Sequence, residues 1–263
     1  MPLRAYHDSG FAWRDPNNWS GDAGASIDFA LSAFDGTKIS VSTFGKPYAA
    51  SPVLRTIRGW SGEKVLYIEW TTYAQSNTNI WLLPTLLTHQ FGDPRWPHCG
   101  EYDIFEMFNG GKPAGTKNYF NYGYFGQSTT HIASLECFAP EYIASPMVSS
   151  SAAQYEIELG VSTTMAVIFG SDDRGQYLQQ IQNPVLLPGP NATFDISLSD
   201  GVIGARIYND ANHYWGVPPV GGCAAGFDPA TGYPFFGEFR LVLQEQYLGY
   251  FDVTNFLVLQ KRT

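Results

Sequence analysis

The chain has 263 residues, of which 16% are aromatic and only 15% are charged, with 27 Gly and 17 Pro. This composition suits strands and turns better than helices, and the length is within the range of one β-sandwich domain. The net charge is −9, and no basic run is present to offset it. Such a charge opposes binding to nucleic acid or to an anionic membrane surface. We therefore expect one all-β domain over residues 1–263 with a neutral partner.

Short apolar and aromatic segments, separated by turn residues, follow one another along the whole chain. They have the length and spacing of strands in a sandwich, and no window shows a sustained helical period. The pattern predicts two packed antiparallel sheets built from strands at 25–32, 38–44, 65–73, 80–87, 101–108, 119–125, 155–159, 164–169, 202–208, 237–244 and 251–260.

The sequence also bears on the location of the protein. No segment reaches the roughly 18 apolar residues of a membrane helix, and the first residues lack the apolar region of a signal peptide. We expect an extracellular monomer whose signal peptide has been removed, with an intracellular protein as the alternative. The three cysteines, Cys99, Cys137 and Cys223, are an odd number, so their disulfide pairing stays open.

Three acidic residues, Glu101, Asp103 and Glu106, fall within six residues of an otherwise apolar strand. Side chains alternate between the two faces of a strand, so Glu101 and Asp103 share a face. In a regular strand Glu106 would lie on the other face. One extra residue between Asp103 and Glu106, a β-bulge, would return Glu106 to the acidic face.

Clustered carboxyl groups repel one another and raise at least one pKa, which a purely structural sheet does not need. A retaining glycosidase needs this arrangement. One carboxylate attacks the anomeric carbon, and a second carboxyl group donates a proton to the leaving oxygen and later activates water. Glu101 and Glu106 have the longer side chains needed to converge, while Asp103 lies between them and can hydrogen-bond the nucleophile. The spacing alone favours an ordinary solvent-facing strand.

The flanking residues make the segment more specific. Trp96-Pro-x-x-Gly-Glu101-x-Asp103-Ile-x-Glu106 resembles the signature of glycoside hydrolase family 16, in the version typical of laminarinase-like β-1,3- and β-1,3(4)-glucanases. The resemblance implies a concanavalin A-like jelly-roll sandwich with a concave sugar cleft. It also implies that Glu101 is the nucleophile, Asp103 its assisting acid and Glu106 the general acid/base. A structural calcium ion is suggested by this resemblance only.

Aromatic rings pack on the C–H faces of sugars, and polar groups bind their hydroxyls. Six residues are predicted to contact substrate on these grounds: Trp96, Trp81, Arg58, Tyr119, Tyr122 and Trp215. The sequence departs from the family pattern in the segment after the catalytic strand, where no His is present until His131. These departures leave the predicted substrate open.

The motifs of other enzyme classes are absent from the sequence. It has no pair of His or Cys at metal-ligand spacing, no dinucleotide or P-loop motif and no serine-hydrolase elbow. We therefore expect a polysaccharide or oligosaccharide as partner, no cofactor and no catalytic metal. Three alternatives remain: transglycosylation, a carbohydrate-binding protein without activity, and a non-hydrolytic enzyme acting on a hydrophobic small molecule.

Overall fold

The computed structural model describes residues 6–21, 32–43, 53–73, 77–85, 100–107, 124–132, 148–189, 191, 194–197, 202–210, 215, 235–246 and 249–261. Within this part of the chain it contains 18 strands and one short 3₁₀ turn, Pro16–Asn18. Asp15 caps the turn, because its side chain accepts a hydrogen bond from the Asn17 N–H. In the same residues no helix has the length and apolar character needed to cross a membrane.

One antiparallel sheet has seven strands among the described residues and carries the acidic cluster. Its strands are β2 (Trp19–Gly21), β5 (Val53–Thr56), β7 (Asn77–Pro84), β8 (Glu101–Met107), β9 (Tyr124–Ile132), β10 (Val148–Ile157) and β17 (Phe239–Gln246). Their spatial order is β10-β9-β8-β7-β17-β5-β2, so β8 has a partner on each side. The acidic cluster therefore lies on an inner strand and not on an edge.

A second sheet has nine strands among the described residues: β1 (Tyr6–Asp8), β3 (Ser32–Phe34), β4 (Ile39–Ser42), β6 (Lys64–Thr72), β11 (Ser162–Asp172), β12 (Gly175–Gln182), β15 (Val202–Ile203), β16 (Ile207–Asn209) and β18 (Tyr250–Lys261). Its main order is β15-β12-β11-β6-β18-β4-β3, with β1 beside β18 and β16 beside β12. The remaining two strands, β13 (Val185–Pro188) and β14 (Phe194–Ser197), pair with each other.

The hydrophobic core lies between the two large sheets. Trp70 on β6 packs against Phe105 on β8 with ring centroids 4.9 Å apart, and Tyr102 on β8 meets Phe169 on β11 at 6.3 Å. All four side chains are fully buried. Burying such large rings from both sheets is the main apolar contribution to folding. The all-β sandwich expected from the sequence is confirmed.

Most of the predicted strands coincide with observed ones, and the differences have local causes. The strand predicted at 202–208 is two short strands, β15 and β16, which pair with different parts of β12. Strand β12 was not predicted, because its glutamines interrupt the apolar alternation. The strands predicted at 25–32 and 119–125 lie almost entirely outside the described residues.

Candidate active site

Strand β8 contains a β-bulge at the position that the acid spacing predicts. Against β7, Asp103 pairs with Trp81 and Phe105 pairs with Ile80, so Ile104 is the extra residue. Against β9, Asp103 pairs with Thr129 and Glu106 pairs with Gln127, so β8 advances by three residues where β9 advances by two. The same extra residue therefore interrupts the register on both sides of β8.

The bulge places the apolar and the acidic side chains of β8 on opposite faces of the strand. Tyr102, Ile104, Phe105 and Met107 are at most 1% exposed and belong to the core between the sheets. The three acidic residues therefore lie on the opposite face of β8, which we call the acid-bearing face of the seven-stranded sheet. Glu101 and Glu106 are half-buried, and Asp103 is 2% exposed.

The surroundings of Asp103 change the pKa of its carboxyl group. Burial raises the pKa of its carboxyl well above the ordinary 3.8, and the neighbouring Glu106 raises it further, while a hydrogen bond with the Glu101 side chain lowers it. A hydrogen bond between two carboxyl groups holds one proton. Burial disfavours a charged Asp103 and the hydrogen bond favours it, so Asp103 and Glu101 share this proton. The pair therefore holds one proton and one negative charge.

The neighbouring strand β7 places two residues directly opposite the acids on the acid-bearing face. Asn79 pairs with Glu106, and Trp81 pairs with Asp103. Residues directly opposite in an antiparallel pair share a face. Trp81 was predicted from the sequence to contact substrate, and the structure places it half-buried beside the acids.

An apolar cluster separate from the main core lies next to Trp81. It consists of Val53, Leu83 and Val242 from three strands, with Trp81 packed against them. These positions alternate with core residues on β5, β7 and β17, so the cluster lies on the acid-bearing face. Buried apolar side chains from three strands therefore lie beside the acids.

Two arginines lie on the far side of this apolar cluster. Arg55 on β5 pairs with Val242, and Arg240 on β17 pairs with Leu83. Burial lowers the pKa of the Arg240 guanidinium, and the positive charge of Arg55 lowers it further. Arg240 was not among the predicted site residues. The alternation along β17 indicates that Arg240 faces away from the core. Its closeness to Arg55 is not visible in the sequence, because it depends on the pairing of strands that are far apart along the chain.

The structure places the other predicted substrate contacts in different surroundings. Arg58 is exposed and follows β5. Since β5 is three strands from β8, the two backbones are about 14 Å apart across the sheet. Trp215 differs from expectation, because its indole is fully buried in the core against Phe235 and Phe236 and has no face open to a sugar. Trp96, Tyr119 and Tyr122 lie outside the described residues.

His131 lies on β9, the strand that pairs with β8 on the side opposite β7. The backbone of His131 on β9 pairs with that of Glu101, so the first His after β8 in the sequence lies opposite the predicted nucleophile and not opposite Glu106. In the part of the chain that the structure describes, no group of three His, Cys, Asp or Glu side chains could hold a metal ion.

Comparison with solved structures identifies the fold. The laminarinase from Rhodothermus marinus matches with a TM-score of 0.58 and 13% identity, over 100% of this chain and 96% of that one. SCLam, a non-specific endo-β-1,3(4)-glucanase from family GH16, matches with a TM-score of 0.55 and 13% identity, over 100% and 89%. The laminarinase catalytic domain from Thermotoga maritima matches with a TM-score of 0.53 and 12% identity, over 100% and 98%.

Sequence comparison gives no equivalent result: no protein-family model and no curated protein sequence matches the chain. The fold is that of the GH16 laminarinases and endo-β-1,3(4)-glucanases. At this identity the structural matches establish the jelly-roll architecture, and the activity has to be argued from the residues.

Proposed function

We propose that the chain is a retaining endo-glycosidase that hydrolyses β-1,3- or β-1,3(4)-glucan. The observation that carries the proposal is the bulge in β8, which places Glu101, Asp103 and Glu106 on one face with Asp103 buried between the other two. The similarity of the fold to laminarinases supports the choice of glucan. A polymeric substrate of this size also favours an extracellular location.

Each of the three acids takes a separate role in the proposed reaction. The Glu101 carboxylate attacks the anomeric carbon while the Glu106 carboxyl group protonates the departing glycosidic oxygen. A covalent glycosyl-enzyme forms on Glu101. Glu106 then removes a proton from water, whose oxygen attacks the anomeric carbon and releases Glu101. Asp103 hydrogen-bonds Glu101 and stabilises its carboxylate before attack and after release. These steps require neither a cofactor nor a metal ion.

The first test measures hydrolysis by isosteric variants on laminarin and on a mixed-linkage β-glucan. Glu101→Gln and Glu106→Gln should each lower kcat by on the order of 10³-fold or more, because each removes a group that is required for bond cleavage. Their circular dichroism and melting temperature should match the wild type. Glu69→Gln serves as the control, since Glu69 lies on β6 in the other sheet. Near-normal turnover by either site variant would contradict the assignment.

A second measurement separates the two roles of the glutamates. With an aryl β-glucan oligosaccharide and azide, Glu101→Ala should give the α-glycosyl azide, because azide replaces the missing nucleophile in one inverting step. Glu106→Ala should give the β-azide, because azide then releases a covalent intermediate. Proton NMR of the first product of the wild type should show the β-anomer, and an α-anomer would exclude the retaining mechanism.

One observation favours a second candidate. Trp81 is half-buried beside the acids and packs on the buried cluster of Val53, Leu83 and Val242, and the exposed part of its indole also suits a hydrophobic small molecule. Under this alternative the carboxyl groups act as general acid and base on a non-sugar substrate. A polysaccharide panel without any release of reducing ends would support it, and glucan binding without cleavage would indicate a binding protein.

A further inference from the structure

A glutamine from the opposite sheet contacts the bulge in the catalytic strand. Gln180 lies on β12 in the nine-stranded sheet, and its side chain is 2% exposed. Its amide Nε2–H donates a hydrogen bond to the Ile104 carbonyl oxygen at 2.9 Å. The two residues are 76 positions apart in sequence, and the bond crosses the apolar interior between the sheets.

The acceptor is the residue on which the geometry of the acids depends. Ile104 is the extra residue of the bulge, with Asp103 immediately before it and Glu106 two residues after it. A bulge disrupts the regular ladder, so its backbone is less constrained by the neighbouring strands than that of a paired residue. A hydrogen bond to the Ile104 carbonyl therefore restrains the peptide unit that sets the positions of Asp103 and Glu106.

The hydrogen bonds of Gln180 argue against a role in stability alone. Its Oε1 atom is buried and accepts no hydrogen bond within the described residues. Burial of a half-satisfied amide in a hydrophobic core is unfavourable compared with an apolar side chain of the same size. Groups of this kind concentrate at functional sites, where geometry is selected at the expense of stability.

We propose that Gln180 is a positioning residue that fixes the bulge of β8 and, through it, the separation and orientation of Glu101, Asp103 and Glu106. The inference rests on the proposed glycosidase function for its catalytic consequence. The effect of Gln180 on the positions of the three carboxyl groups is independent of whether the chain is a glycosidase. Gln180 does not touch the substrate, because it lies on the core side of the sheet.

The first experiment replaces Gln180 with methionine, which has similar volume and no donor. Because a misplacement of about 1 Å can lower the rate of a preorganised site by roughly 10²-fold, we expect kcat to fall 10- to 100-fold. The KM should stay within about twofold, since the substrate face is unchanged, and the melting temperature should be equal or higher. Gln179→Met is the matched control on the same strand, because Gln179 bonds Gly204 and Arg206 on the outer side and should leave kcat unchanged.

The second experiment uses Gln180→Glu as a pH-dependent rescue. A protonated glutamic acid can donate to the Ile104 carbonyl, whereas an ionised one would place a negative charge against it. The kcat of this variant relative to the wild type should therefore be highest at acidic pH and fall as the pH rises. Gln180→Met should show a constant ratio. If the two variants gave parallel pH profiles, the hydrogen bond would not be the relevant interaction.

A third measurement needs no substrate and separates this inference from the proposed function. Carbon-13 NMR of the side-chain carboxyl groups should show a changed titration of Asp103 in Gln180→Met compared with both the wild type and Gln179→Met. If the wild type cleaves no polysaccharide, the proposed function fails and the titration still decides the role of Gln180. Unchanged titration, or unchanged kcat in a folded Gln180→Met, would overturn the inference. If that variant does not fold, Gln180→Glu decides the question through the same measurements.

Discussion

Each of the two large sheets carries a buried aspartate on its outward face, and in both cases a β-bulge is close by. Asp103 on β8 immediately precedes the extra residue Ile104. Asp252 on β18 lies two residues before a register shift between Val253 and Asn255. Their exposures are 2% and 3%. Burial and local backbone geometry are therefore shared, and neither feature alone marks an active site.

The two aspartates differ in their neighbours. Asp252 accepts hydrogen bonds from the Lys38 ammonium at 2.7 Å, the Ser40 hydroxyl at 2.5 Å and the Tyr73 hydroxyl at 3.1 Å. The Asp252 hydrogen bond raises the pKa of Lys38, as expected for a cation that gains an anionic partner. A carboxylate that pairs with a cation and two hydroxyl donors fits a structural role.

Asp103 has two other acids, Glu101 and Glu106, as neighbours, and its pKa is raised by burial and by Glu106. An arrangement of this kind weakens the fold, so it indicates selection for chemistry. The comparison separates a buried carboxyl group that stabilises the protein from one that destabilises it, and it predicts opposite effects of the same substitution on stability at the two positions.

The largest expected difference is in activity. Asp103→Asn should lower kcat by on the order of 10²- to 10³-fold, because the amide cannot supply the shared proton of the Asp103–Glu101 hydrogen bond. Asp252→Asn should leave kcat within about twofold, since Asp252 lies on the other sheet. Initial rates on laminarin for both purified variants measure this. Equal losses of activity would show that the two sites are not distinct in function.

The next largest effect is on stability, and here Asp252→Asn is the more damaging of the two substitutions. Asp252→Asn should lower the free energy of unfolding by about 2 kcal/mol, because hydrogen bonds to a charged group are lost in a buried site. The value stays modest because the Lys38 side chain is 38% exposed and can return to water. Urea unfolding monitored by tryptophan fluorescence measures the change. A variant as stable as the wild type would contradict a structural role for Asp252.

Sequence patterns predict individual strands, because a strand can be recognised from its own residues. Strands β6, β8, β17 and β18 are rich in apolar and aromatic residues, so each is recognisable as a strand from its own residues. Strand β12 is different, because its glutamines face both the core and the outside and hide the alternation. The order of strands, such as β17 between β7 and β5, depends on pairing between residues far apart in sequence, which no local pattern contains.

The same distinction applies to the candidate site. The bulge is predictable, because three acids at this spacing can share a face only if one residue is extra. The role of Gln180 is not predictable, since its contact with Ile104 joins opposite sheets. Trp215 shows the converse error: an aromatic residue in a loop-like segment has the same sequence signal whether it contacts a sugar or lies in the core, as it does.

The smallest effect tests the destabilising character of Asp103 through the pH dependence of stability. Its folded-state pKa lies above the ordinary 3.8, so over the interval above that value the folded chain holds a proton that the unfolded chain has lost. Stability from this group is therefore present below pH 3.8 and is lost as the pH rises through the folded-state pKa. The Asp103→Asn variant has no titrating carboxyl group at this position, so this loss of stability at higher pH does not occur in it.

The free energy of unfolding of the Asp103→Asn variant should therefore exceed that of the wild type at neutral pH, with the difference disappearing towards pH 3. The direction of this gain follows from the raised pKa of Asp103 in the folded state. Urea unfolding from pH 3 to 8 measures the difference, with Asp252→Asn as the comparison. If both variants lost stability at neutral pH, Asp103 would be a second structural aspartate, and the contrast between the two sheets would not hold.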